Sequence, residues 1–455
     1  MKNYLRYTLY LMLTTVSMLL VIGFMPKFSI GGHTMRTVDI LSDLRQKEII
    51  VEDTTFLDSI IPKPKPVFID TCKTGVTCIE DYSDSTARGM SRFYEILARR
   101  DTMSRPVRIA YYGDSFIEAD IMTGDLRSML QNEYGGSGVG YVPVSYSMTG
   151  FRPTVRQSFS GWNAHSKIDS TGFNNSYQDI SGNYAFLSDK TAFTLLRGVK
   201  KYAAHLDTCT TSSIYFRTHG TTQLSASVNG QFTKSFNING KGKLQKESIN
   251  GKIGSVRWTI THSDSATFYG ISMESSPGLC LDNFSIRGSS GIHLNQIPLQ
   301  TYLDFHRLRK YDLIVLQFGL NITVHKILNY TKYKNYMKTV IDRLKEAFPE
   351  AGILLVSIGD REDIGEDGEL HTLPEVKALI RFQQAIAAEN HIAFYNLYKA
   401  MGGEGSIVEM VDKGWANRDY THINFKGGKH LAGILFESLK YGQKQYERRK
   451  AYERE

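Results

Sequence analysis

From Val107 to Tyr112 the chain reads VRIAYY, an apolar and aromatic run with one arginine, and it passes straight into Gly113-Asp114-Ser115. A run of this kind without polar alternation predicts a strand buried on both faces. Ahead of it, ARGMSRFYEILARR sets Met90, Phe93, Tyr94, Ile96 and Leu97 on one helical face, and Pro106 then resets the chain. Behind it, DIMTGDLRSMLQNEY repeats Ile121, Leu126, Met129 and Leu130 at helical spacing, so Ser115 falls between a strand's end and a helix's start. Three later apolar runs have strand length: YDLIVLQFG (311–319), GILLVSIGD (352–360) and IAFYNLY (392–398). They are separated by the helical patterns YKNYMKTVIDRLKEAF and LPEVKALIRFQQAIAAEN. Strands alternating with helices predict an α/β fold, a parallel sheet covered on both faces.

Between about Ser145 and Leu281 the pattern changes. SIYFRTHG, QLSASVNGQF, KSFNING, GSVRWTITHSDSATFYGISM and GLCLDNF alternate polar with apolar residues and are broken by Asn-Gly and Gly signals. An all-β sandwich is expected over 145–281, inserted between α/β parts at 84–144 and 282–443. Its Asn, Thr, Ser and aromatic residues suit sugar binding and equally suit the outer face of any sandwich. GGSGVGYVPV, from Gly135, lacks the Lys-Ser/Thr ending of a phosphate-binding loop and the spacing of a dinucleotide fingerprint, and is expected to be a turn into a short strand.

At the N-terminus, Lys2 and Arg6 precede an uncharged stretch, Tyr7 to Met25. Its length is close to that of a bilayer-crossing helix, its positive flank matches an export signal, and no small-x-small cleavage site follows it. Residues 1–26 are therefore expected to be an export segment or uncleaved transmembrane anchor, with the body in the periplasm or cell envelope. Residues 27–83, with IPKPKP forcing extended backbone, are expected to form a stalk.

Composition adds little to this. With 455 residues and ordinary apolar and charged fractions, the chain has room for two or three packed domains. The formal charge of +8 is spread along the chain. Its densest basic run, KQYERRKAYERE (444–455), is interleaved with glutamates as in a solvated helix end, so nucleic acid is not an expected partner. Cys72 and Cys78 can close a short loop and Cys209 and Cys280 can bracket the β-rich region, but four cysteines allow three connectivities. No pair of C-x-x-C motifs and no His/Asp/Glu cluster with ligand spacing occurs, so no metal is expected.

A serine hydroxyl needs a base to take its proton and donors to receive the oxyanion it generates. In a parallel sheet such groups gather at the carboxyl ends of the strands. Ser115 follows the first strand, Asn321 follows YDLIVLQFG, and Gly291 lies in RGSSGIHL just after the short strand LDNFSI. Asp419 and His422 sit in NRDYTHINF before an amphipathic helix. His422 has the chemistry of a proton shuttle, and Asp419 can bond its other ring nitrogen. The backbone amides of Ser115 and Gly291 and the side-chain amide of Asn321 would form an oxyanion hole, worth about 10²- to 10³-fold per donor.

Gly113-Asp114-Ser115, Gly291, Gly319-Leu320-Asn321 and Asp419-Tyr420-Thr421-His422 match, in order, the four blocks of the SGNH or GDSL-type hydrolase family, which the chain resembles. The stretch RFYEILARRDTMSRPVRIAYYGDSFIEADIMTGDLRSMLQNEYGGSGVGYVPV is similar to the opening of envelope esterases of that family that carry an inserted β-sandwich, the peptidoglycan O-acetylesterases. The resemblance implies a flavodoxin-like three-layer α/β/α sandwich, a Ser115–His422–Asp419 triad, and no cofactor. It also implies an acetylated polysaccharide substrate, peptidoglycan first. An O-acetyltransferase using the same residues, and a non-catalytic glycan-binding protein, are the alternatives. Phe116 stands where these esterases often carry histidine, and Ile322 where many members carry aspartate; both bear on substrate preference.

Overall fold

The structure, a computed structural model, describes residues 2–24, 29–30, 33–34, 72–83, 89–168 and 172–454. The chain divides into two units, residues 1–67 and 68–455. In the first, helix α1 spans Lys2–Phe24, and β1 (Ser29–Ile30) pairs antiparallel with β2 (His33–Thr34). The expected membrane anchor is not supported, because among the described residues no helix is long and apolar enough to cross a membrane. The uncharged run includes Tyr7, Tyr10, Thr14, Thr15 and Ser17, and the hydroxyls of Thr14 and Thr15 bond back to carbonyls one turn earlier. The proline-rich part of the expected stalk lies outside the described residues.

The second unit opens with β3 (Glu80–Asp81), α2 (Met90–Ala98), β4 (Val107–Gly113), α3 (Thr123–Tyr134) and β5 (Gly140–Pro143). α2 buries Met90, Phe93, Tyr94, Ile96 and Leu97, the face predicted from its spacing. Ten further strands follow: β6 (Val155–Ser160), β7 (Trp162–Ser166), β8 (Asn183–Leu187), β9 (Ala192–Gly198), β10 (Cys209–Thr218), β11 (Thr221–Val228), β12 (Gln231–Asn239), β13 (Leu244–Ile253), β14 (Ser255–Ser263) and β15 (Ala266–Glu274). The α/β pattern then resumes with β16 (Leu279–Ser285), α4 (Leu299–Leu308), β17 (Leu313–Gln317), α5 (Thr331–Ala347) and β18 (Gly352–Val356). A small hairpin of β19 (Glu362–Ile364) and β20 (Leu370–Thr372) precedes α6 (Pro374–Glu389), β21 (Ala393–Tyr395), α7 (Leu397–Met401), α8 (Ser406–Asp412) and α9 (Phe425–Tyr452).

The central sheet has the order β16-β4-β17-β18-β21-β3, with its first five strands parallel and β3 antiparallel at the edge. β4, β17 and β18 are buried along their whole length, as strands covered by helices on both faces must be. On one side α2 and α3 pack on α9, and on the other α4 and α6 pack on α5, giving the three layers. The charged run at 444–455 continues α9 as far as Tyr452.

The inserted strands form two antiparallel sheets around a second apolar core that includes Phe216, Trp258 and Phe268. One has the order β13-β10-β15-β8-β7 and the other β12-β11-β14-β9-β6. The Asn229-Gly230 signal is the hairpin between β11 and β12, and both residues have positive φ (52° and 84°), as a tight two-residue turn requires. The sandwich also recruits β5, which pairs with β15, while Leu279–Ser285 leaves it to become the parallel partner of β4. Backbone pairing thus assigns 140–143 to the insertion and 279–281 to the central sheet.

A buried ionic network joins the two. Asp282 of β16 accepts from Arg309 Nε (2.6 Å) and Nη2 (2.8 Å), the Tyr311 hydroxyl (2.6 Å) and the Tyr141 amide of β5 (2.8 Å). Glu274 of β15 pairs with Arg108 of β4 (2.9 Å) and Arg309 (3.0 Å). Cys72 and Cys78 are disulfide-bonded, whereas Cys209 and Cys280 are buried free thiols, so no bridge brackets the insertion.

Candidate active site

Gly113, Ser285 and Gln317 are paired across the three adjacent strands β16, β4 and β17, so these strands end at one level. Ser115, Gly291 and Asn321 each lie a few residues beyond that level, at the carboxyl edge. Gly113 is required there, because a Cβ would meet Ile117 at 2.8 Å and the Gln317 carbonyl at 3.0 Å. Ser115 is half-buried and does not cap the following helix: α3 begins at Thr123, and its cap residue is Met122. Phe116 is buried (3 % exposed) beneath the turn, with its ring near Gly359.

Asp114 ties the serine turn to the asparagine loop, since its carboxylate accepts the amide of Phe116 (3.1 Å) and those of Gly319 and Leu320. Burial pushes its pKa up to about 6 despite these amides and the nearby charge of His422. The His422 ring is thus near enough for Asp114 to feel its charge. An acid whose folded pKa lies above its unfolded value of 3.8 adds stability at low pH, and loses it as pH rises through about 6. The unfolding free energy of wild type relative to Asp114→Asn is therefore expected to fall by roughly 2–3 kcal/mol between pH 4 and 7. Denaturant titrations across that range check it, and a pH-independent difference would remove the assignment.

His422 Nδ1 bonds Asp419 Oδ2 at 2.8 Å, while Asp419 Oδ1 accepts the backbone amides of Thr421 (3.0 Å) and His422 (2.9 Å). Burial would raise the Asp419 pKa, but the His422 amide and ring and the Thr421 amide hold it below the usual carboxylate value. The pair is about half exposed (44 % and 48 %). With Nδ1 engaged by a carboxylate, Nε2 is the nitrogen left to accept a proton. The loop is closed by the bridge between Ala416 and Ile423 and by Asn424, whose side chain caps α9 through Lys426 N (2.9 Å). The helix start then docks on the segment after Ser115, since a Cβ on Gly428 would stand 1.9 Å from the Ile121 carbonyl oxygen.

Asn321 is exposed, and its side-chain amide donates to the Ser289 carbonyl at 3.0 Å, leaving its second hydrogen for another acceptor. Gly291 has φ 87°, and a Cβ there would meet the Phe318 ring at 2.7 Å, so glycine is required on both counts. Its amide differs from the expected free donor: it donates to Ser289 Oγ at 2.9 Å, because a serine two residues upstream offers an acceptor at turn distance.

Three groups around the site lie outside the residues singled out from the sequence. Glu118, 4 % exposed, forms a bidentate ion pair with Arg287 and links the serine turn to the Gly291 loop. Asp120, with φ 65°, binds Arg127, Arg152, Thr123 and Thr154 in full burial. Ser289 bonds His293 Nδ1 at 2.6 Å. Ser289 and His293 are four residues apart in SSGIH, a spacing that flags the pair; nothing in sequence points from Glu118 to Arg287.

No protein-family model matches the chain, and no curated protein sequence matches it. Among solved structures it is similar to a peptidoglycan O-acetylesterase, with a TM-score of 0.66 and 20 % identity, over 80 % of this chain and 99 % of that one. It is also matched to a family two carbohydrate esterase from Clostridium thermocellum bound to cellohexaose, at 11 % identity over 59 % and 97 % of the two chains, and to a GDSL-like lipase from Parabacteroides merdae, at 15 % identity over 36 % and 74 %. Their TM-scores of 0.24 and 0.29 carry no argument. The first likeness covers four-fifths of the chain and shows the fold: an α/β/α core with a parallel sheet, interrupted by a β-rich insertion.

Proposed function

We propose that the chain is a serine esterase that removes O-acetyl groups from a cell-envelope polysaccharide, peptidoglycan first. The observation that supports this reading is the Asp419–His422 bond, which leaves Nε2 to act as a base in the loop that leads into the helix packed, at Gly428, on Ile121 of the segment after Ser115. His422 takes the Ser115 proton as Oγ attacks the acetyl carbonyl. The oxyanion is received by the Ser115 amide and the second hydrogen of Asn321 Nδ2, and the Gly291 amide joins only by sharing its bond to Ser289. The sugar oxygen leaves with the proton from His422. Water, deprotonated by His422, then attacks acetyl-Ser115 and releases acetate. Asp419 keeps the ring oriented and stabilises its charged form.

An envelope location suits this substrate and the export pattern of the first residues. The test is acetate release from O-acetylated peptidoglycan compared with acetylated xylan, with Ser115→Ala as control. Release from peptidoglycan that depends on Ser115 is expected. Acetylated sugar accumulating in place of acetate when acceptors are supplied would overturn hydrolysis as the reaction, and unchanged release by Ser115→Ala would overturn the site.

A further inference from the structure

Ser289 is 8 % exposed and engages three partners at once. Its hydroxyl bonds His293 Nδ1 (2.6 Å) and accepts the Gly291 amide (2.9 Å), while its carbonyl accepts Asn321 Nδ2 (3.0 Å). A serine hydroxyl has one proton to give and two lone pairs. A neutral imidazole accepting that proton at Nδ1 leaves Oγ free to receive Gly291. Burial, with the Lys167 charge adding to it, lowers the His293 pKa to about 4, so the ring is neutral at ordinary pH. The ring also stands edge-on to Phe318, the ring that a Cβ on Gly291 would meet.

The turn closed by Ser289 Oγ and the Gly291 amide fixes the peptide plane after Ser289, and with it the direction of the Ser289 carbonyl. That carbonyl holds one hydrogen of Asn321 and thereby aims the other. We propose that Ser289 and His293 are positioning residues that set the aim of the Asn321 amide at the oxyanion. The proposal rests on the esterase reading. It makes Ser289 and His293 act through Asn321, touching no substrate themselves.

The experiment is a double-mutant cycle on the full chain, read as kcat and KM for acetate release from p-nitrophenyl acetate. Ser289→Ala removes one oxygen and His293→Phe keeps the ring's bulk without its acceptor. Each is expected to lower kcat about 10- to 100-fold with KM within about two-fold, because a misaimed donor is lost mainly in the transition state. His293→Asn, which restores a polar atom near the Nδ1 position, is expected to recover most of the loss. In an Asn321→Ala background Ser289→Ala should cost less than about two-fold, because the donor it positions is already gone. Equal losses in both backgrounds, or a loss confined to KM, overturn the proposal. If His293→Phe does not fold, the Ser289→Ala cycle decides alone. Ser115→Ala separates the two levels: activity persisting there overturns the esterase reading, whereas silence there with an additive cycle overturns only the positioning role.

Discussion

His422→Ala is expected to lower kcat for acetate release by roughly 10⁴-fold or more while leaving the melting temperature within a few degrees of wild type. The pair it breaks is half exposed and contributes little to folding, so nearly all the loss falls on chemistry. In the proposed mechanism the imidazole takes the Ser115 proton, so without it the donors at the strand end retain only the residual stabilisation of the oxyanion. Asp419→Asn should fall between this variant and wild type. An amide keeps an oxygen for the loop's backbone donors but cannot stabilise the charged ring. Steady-state kinetics with the two variants, alongside thermal melts, check both statements. A His422→Ala enzyme retaining a tenth of wild-type kcat would exclude the imidazole as base.

Arg309→Met carries the largest expected effect on stability. Arg309 is fully buried and pairs with both Asp282 and Glu274, so its loss leaves Asp282 without a counter-charge and Glu274 with Arg108 alone where water does not reach. Removing one partner of a buried network costs about 3–5 kcal/mol. Neutralising its carboxylate partners as well should recover part of that, because the penalty comes from uncompensated charge. Burial alone would raise the pKa values of Glu274 and Asp282; the arginines hold both below the ordinary carboxylate range. Groups with depressed folded pKa values contribute stability above their unfolded values and lose it as pH falls through the folded ones. Wild type should therefore weaken as pH falls below about 4, where the unfolded chain takes up protons that the folded network still excludes, and a variant already lacking Arg309 should weaken less steeply. Urea titrations at pH 7 and at about pH 3 measure both. Because Asp282 lies on the parallel sheet and Tyr141 and Glu274 lie on the insertion, the variant tests whether this network welds the sandwich to the α/β core.

Local pattern carried the α/β core because each of its elements buries a face whose period is written in adjacent residues. The five apolar residues of α2 and the uninterrupted runs of β4, β17 and β18 needed no distant partner to be recognised. The same holds for the Asn229-Gly230 turn, and for Asp419 and His422, whose three-residue spacing allows a ring to meet a carboxylate within one loop. Edges were less legible. β5 reads like any short strand after a glycine loop, and only pairing across more than a hundred residues assigns it to the sandwich. The N-terminal run looks like a membrane anchor when charge alone is weighed, yet among the described residues no helix is long and apolar enough to cross a membrane.

By itself, then, the sequence determined the order of strands and helices and the residue types that stand at the strand ends, since both follow from short-range periodicity and turn chemistry. Tertiary structure alone decided where each polar group finds its partner: that the Gly291 amide is engaged by Ser289, that Asp114 reaches across to the Asn321 loop, and that Arg309 serves two carboxylates from different layers. Hydrogen bonds and buried charges are satisfied by whatever the folded chain brings within about 3 Å, and that proximity is a property of the packing, with no period along the chain to announce it.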